Sequence, residues 1–215
     1  LATLALLNAG VPPEDPAITR ALSFLRPLPP EKTYAVSLKV MVFSIVGLER
    51  DKTGIANLVR WLEATQIKTG QAAGGWSYPP NSGGDNSNSQ FAILALYEAE
   101  RIGIQADART WMLAKGYWER GQNRNGSWGY TVRDVGGERG SMTCAGIGAL
   151  AIINGVVPSG DASVVGNNIL CCQDSDELEE DPIERGLEWL ADNFRISSNP
   201  GHANQWRLYY LYGLE

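Results

Sequence analysis

The sequence predicts an all-α protein built as a curved α/α array of helix hairpins. Three observations carry this expectation. Apolar, small-residue helices at 1–9, 34–49, 87–101, 142–153 and 205–215 alternate with more polar ones at 16–25, 55–65, 108–119 and 182–194. Strict alternation of apolar and polar residues is absent, and the β-branched residues fall within helical periods. A loop with a Trp and a Tyr feeds an apolar helix twice, from Gly74 to Gly103 (GGWSYPPNSGGDNSNSQFAILALYEAERIG) and from Gly126 to Gly155 (GSWGYTVRDVGGERGSMTCAGIGALAIING). Hairpins stacked side by side, one helix inside and one outside, bury a continuous core.

Each element has local support. Leu1 to Asn8 reads as a helix end stopped by Gly10. Asp15-Pro16 is a helix start, with Asp at the N-cap and Pro at the first helical position, and Pro27 closes that helix. Thr33 is the expected cap of Tyr34 to Glu49, whose apolar residues wrap most of the way round, as in a helix buried on several sides. Ile55 to Thr65 carries Leu58, Trp61 and Leu62 on one face. Ser87 and Gln90 have capping-box spacing at the head of the helix reaching Arg101. Asp107 caps 108–119, Ser141 caps 142–153, and Asp181-Pro182 repeats the Asp-Pro start. Asn204 is the expected cap of the last helix. Val156 to Asp181 reads as a long, irregular, acidic loop. Both termini fall inside uncapped helical patterns, so the expectation is a single domain over 1–215 that belongs to a longer chain with further domains.

Composition narrows the function. With 44% hydrophobic and 20% charged residues the chain is globular. Its net charge of −6, without a basic patch carrying interleaved aromatics, excludes nucleic acid as a partner. No apolar run spans a bilayer. Cys144, Cys171 and Cys172 form no CxxC pair, and an odd count does not make a disulfide framework.

Two segments carry a recurring Gln…Gly…Trp pattern. One runs Trp61-Leu62-Glu63-Ala64-Thr65-Gln66, then Gly74-Gly75-Trp76-Ser77-Tyr78. The other runs Tyr117-Trp118-Glu119-Arg120-Gly121-Gln122-Asn123, then Gly126-Ser127-Trp128-Gly129-Tyr130. On these residues the chain resembles the α/α-toroid superfamily of squalene cyclases and protein prenyltransferase β-subunits, and especially its uncharacterised bacterial repeat proteins. The resemblance covers nearly the whole chain and implies an incomplete ring of hairpins. In such repeats the Gln ties down a helix end while the Trp packs over it, satisfying backbone groups that a helix end leaves orphaned.

The resemblance also implies candidate sites. Hopene-type cyclases need a DxDD acid motif, which is absent; the nearest candidate acid is Asp85, in Asp85-Asn86-Ser87-Asn88-Ser89, a run that reads more simply as loop and helix-cap chemistry. Prenyltransferases hold zinc through Asp, Cys and His. Asp85, Cys144 and His202 lie at or near the starts of three successive inner-type helices, though the family places its Asp and Cys two residues apart. Arg139 sits in the loop where the family places diphosphate-binding cations. Tyr78, Phe91, Tyr130, Trp206 and Tyr209 are the aromatic candidates to line a cavity for an isoprenoid or other lipid-like molecule. The alternative expectation is a non-catalytic repeat module for protein interaction.

Overall fold

In a computed structural model the described residues are 1–78, 83–134, 136–157, 162–165, 168–171 and 181–215, with the backbone alone described for 162–165 and 168–171. They form nine helices: α1 Ala2–Asn8, α2 Pro16–Leu25, α3 Thr33–Val46, α4 Lys52–Thr65, α5 Asn86–Arg101, α6 Ala108–Arg120, α7 Gly140–Val156, α8 Pro182–Asn193 and α9 Arg207–Leu214. A short 3-10 turn, Glu49–Asp51, precedes α4. The one departure from the all-α expectation is an antiparallel pair, β1 Ala162–Val165 and β2 Asn168–Cys171, which pairs Ala162 with Cys171 and Val165 with Asn168. It lies within the segment expected to be irregular; Cys172 and the acidic stretch 174–180 lie outside the described residues.

The helices pack in two rows. In one, α3 lies between α1 and α5, and α7 between α5 and α9. In the other, α2 packs on α1, α4 on both α3 and α5, and α6 and α8 on α7. The sequence accounts for the division. Helices α2 and α4 each bury one stripe, Ile18 and Leu22 in α2, and Ile55, Leu58, Val59 and Leu62 in α4, at the three- and four-residue spacing of a helix face. Helix α5 is enclosed along most of its surface, and its Ala92, Ala95 and Ala99 are small enough to admit close neighbours. Cutting Leu62, which is fully buried, to Ala removes contacts worth about 2–5 kcal/mol.

The loops entering α5 and α7 share one hydrogen-bond scheme. Trp76 Nε1 donates to the Leu62 carbonyl (2.7 Å) in the last turn of α4, and Trp128 Nε1 to the Trp118 carbonyl (2.8 Å) in the last turn of α6. Gln66 Nε2 donates to the carbonyls of Gly74 (3.0 Å) and Thr110 (2.9 Å); Gln122 Nε2 donates to those of Gly126 (2.9 Å) and Pro182 (2.7 Å). Each Gln thus joins its own loop to the first turn of the next helix in the second row. The Trp backbone N–H groups donate to hydroxyls inside the following helices, Trp76 to Ser89 (2.9 Å) and Trp128 to Thr143 (3.1 Å).

Several expected caps are replaced. Asp15, Asp107 and Asp181 do accept from backbone N–H groups two residues on. Thr33 does not cap α3; it is the first helical residue, and its hydroxyl donates to the Ser77 carbonyl at 2.7 Å. At α5 the cap is Asp85, not the Ser87–Gln90 pair. At α7, Ser141 is capped rather than capping: its N–H donates to Asn199 Oδ1 at 2.9 Å. Helix α9 follows Trp206, which has a φ of 58°, and has no side-chain cap, so Asn204 does not serve.

Candidate functional site

The N-terminal ends of α3, α5 and α7 meet at a cleft of about 140 Å³. Its wall includes Tyr34, Ser87 and Ser141, the second residue of each of these helices. Tyr78 and Tyr130, each two residues beyond the Trp of its loop, close one side, and Trp206 and Tyr209 close another. Arg139 and Met142 complete it. Tyr78 and Trp206 stand at the rim, 45% and 68% exposed. Five of the six residues expected to line a cavity, Tyr78, Tyr130, Arg139, Trp206 and Tyr209, therefore border one space. Phe91 lies behind it, with its ring 4.4 Å from Tyr34 and stacked on Tyr209 and Tyr212 at 6.3 and 6.2 Å. Tyr34 and Met142 were not singled out as site residues from the sequence, and Ser87 and Ser141 read there as helix caps. The signal that would have found Tyr34, Ser87 and Ser141 together is their common position, the second residue of α3, α5 and α7.

The polar groups of the wall are hydroxyls and one guanidinium. Ser87 donates to Asp85 Oδ1 at 2.7 Å and lies 3.3 Å from the Tyr130 hydroxyl. Tyr209 donates to Gln90 Oε1, and the Tyr34 hydroxyl faces Ser87 and Tyr209. Burial pushes the Tyr34, Tyr130 and Tyr209 phenols up from their ordinary value, and the charge of Asp85 adds to the push. Arg139 lies over the Tyr130 ring, 5.2 Å from its centroid, and pairs with Asp134 Oδ2 at 3.3 Å. The same carboxylate oxygen accepts from the Tyr130 N–H at 3.1 Å.

Asp85, the candidate acid, is 5% exposed and does not border the cleft. It receives hydrogen bonds from the Asn88 N–H (2.8 Å), the Asn88 side-chain amide (2.9 and 3.1 Å) and Ser87. A carboxylate held this way at a helix start is an N-cap that also meets the positive end of the helix dipole.

The expected zinc ligands are not gathered. Among the described residues no three His, Cys, Asp or Glu side chains are placed to share a metal ion. The geometry gives the reason for two of them. Asp85 turns into its own helix, and Cys144 packs with Leu190 and Tyr210 in a small second core between α7, α8 and α9. Burial there pushes the Cys144 thiol up to about 12, away from the thiolate form that binds metal. His202 instead takes part in the loop before α9, its N–H donating to the Asn199 carbonyl at 2.9 Å.

Comparison of the chain with protein-family models, with curated proteins and with solved structures finds no match. Among the described residues no helix is long and apolar enough to cross a membrane.

Proposed function

We propose that this chain is an α/α-toroid protein of the squalene cyclase and prenyltransferase type, and that its cleft binds one end of an isoprenoid or other lipid-like molecule. The observation that supports the reading is the convergence of Tyr34, Tyr78, Tyr130, Tyr209 and Trp206 on one space at the ends of three adjacent helices. Aromatic walls with a few polar groups suit an apolar ligand that needs orienting. At about 140 Å³ the cleft is small beside pockets of several hundred Å³ that engulf a whole ligand, so the remainder of a long chain would lie along the rim. The reading assigns binding and no reaction step, because Asp85 bonds inward.

The test is a titration with farnesol followed by tryptophan fluorescence. Trp76, Trp111, Trp118 and Trp128 are fully buried, Trp61 and Trp189 are half-buried and Trp206 stands at the rim, so the difference in iodide quenching between the unaltered chain and Trp206→Phe selects the cleft signal. Saturable protection of Trp206, lost in Trp206→Phe and weakened in Tyr209→Ala, is the expected result. A linear response with no saturation would remove the reading.

A second reading, a non-catalytic module for protein interaction, is favoured by α9 and its approach. Trp206 and Leu208 are largely exposed there and Tyr212 partly so, leaving apolar surface of the kind that partners cover.

A further inference from the structure

We infer that the cleft selects a ligand with a neutral hydroxyl or carbonyl head and disfavours a phosphate ester. This inference rests on the binding reading above and concerns only the chemistry of the ligand's polar end.

Among the described residues the cleft's wall carries one cation, Arg139, and that cation is already engaged. Arg139 is bound by Asp134 and lies over the Tyr130 ring, so an anionic head would have to compete with a carboxylate on the same loop. The Asp85 carboxylate, directly behind Ser87, adds a second negative charge close to the wall. An anion entering here meets two carboxylates and one guanidinium.

Helix N-termini often hold anions through free N–H groups, and three converge at this cleft. At α5 and α7 those groups are largely consumed by the protein. The Asn86 N–H donates to the Tyr130 carbonyl at 2.9 Å, and the Asn88 N–H to Asp85. The Gly140 N–H donates to the Pro200 carbonyl at 2.9 Å, the Ser141 N–H to Asn199, and the Met142 N–H to the Arg139 carbonyl at 3.1 Å. At α5 and α7 the loops that shape the cleft thus occupy most of the donors an oxyanion would use, whereas α3 has no side-chain cap.

What remains for a ligand is a set of hydroxyls. The Tyr130–Ser87 separation of 3.3 Å is longer than the usual 2.7–2.8 Å of an O–H···O bond, leaving the phenol free to make a shorter one. Ser87 spends its proton on Asp85, so Tyr130 or a ligand hydroxyl would donate to it. The Tyr34 hydroxyl faces the same spot. Buried phenols held in the protonated form donate to a carbonyl or exchange bonds with an alcohol, and none supplies a countercharge.

The experiment compares three ligands with the same tail, farnesene, farnesol and farnesyl diphosphate, on the intact chain by isothermal titration calorimetry. Farnesol should bind about 3- to 10-fold more tightly than farnesene, the gain from one neutral hydrogen bond. The diphosphate should bind more weakly than farnesol, and Arg139→Gln should not weaken it further. Tyr130→Phe should bring farnesol to within about 2-fold of farnesene, both measured on the same variant; Tyr34→Phe provides a second variant if Tyr130→Phe is poorly folded. Tightest binding by the diphosphate, abolished in Arg139→Gln, would overturn the inference while leaving an isoprenoid cleft in place. Equal binding of farnesene and farnesol would also overturn it. If none of the three binds, the binding reading itself fails, and this inference with it.

Discussion

Replacing Gln66 by Ala tests how the end of α4 and the loop after it are fastened to α6. Gln66 is 3% exposed, and its amide is the side-chain donor to two carbonyls, Gly74 in the loop and Thr110 in α6. Ala leaves both without that donor, and the enclosed site gives water little access. The Thr110 carbonyl keeps its partner within α6, so the loss is about 1–3 kcal/mol for the Gly74 carbonyl left unpaired and about 0.5–1.5 kcal/mol for the second bond, together about 2–4 kcal/mol. For a chain of 215 residues that corresponds to a fall in Tm of roughly 5–15 °C. Gln122 makes the equivalent pair of bonds from a partly exposed position, where water can take the place of the amide. Its Ala variant should therefore lose only about half as much. Urea unfolding followed by circular dichroism measures both, read as midpoint shifts at constant slope. A Gln66→Ala loss below about 1 kcal/mol, or one no larger than that of Gln122→Ala, would refute the reasoning.

Gly74→Ala should prevent stable folding, since the new Cβ would lie 1.8 Å from the Leu113 carbonyl oxygen at a φ of 95°; Gly10→Ala, also at positive φ but with no atom within 4 Å, should cost only about 1 kcal/mol in the same urea series. Cys144 should resist iodoacetamide at pH 8 in a Cys171→Ser/Cys172→Ser background until the protein is unfolded, as followed by mass spectrometry; because its folded pKa is raised, its contribution to stability is complete below about pH 8.5 and declines as pH rises towards 12. Arg26 holds the Asp51 carboxyl below its ordinary value, through hydrogen bonds of 2.8 and 2.9 Å. The stability from that pair is therefore present above about pH 4 and lost as pH falls through the folded pKa, and Asp51→Asn should flatten the acid limb of a stability–pH curve.

The helices and their division into two rows were legible because helical periodicity and Asp-Pro starts are local signals. Asp15 and Asp181 cap their own helices, and nothing distant competes with them. Two of the misread caps have distant partners. Thr33 bonds to a carbonyl 44 residues away, and Ser141 receives its cap from Asn199, 58 residues on. No window of sequence contains both ends of such a bond. The strand pair at 162–171 was missed although Val164, Val165 and Ile169 flank a Gly-Asn dipeptide, a hairpin signal outweighed by the polar, acidic look of the segment. At the cleft, the aromatic residues stood out by type. Ser87 and Ser141 read as helix-start caps, and only the convergence of three helix ends shows that they line one space.

The glutamine joints have a consequence for how such a chain can change. Each amide grips main-chain oxygen atoms, and the residues that own those atoms differ freely: Thr110 at one joint, Pro182 at the other. A threonine and a proline have almost nothing in common except the carbonyl. The fastening therefore places no demand on the side chain at the point where it takes hold. A hairpin could drift in sequence, be duplicated or be exchanged for another, and its neighbour would still find the oxygen it needs.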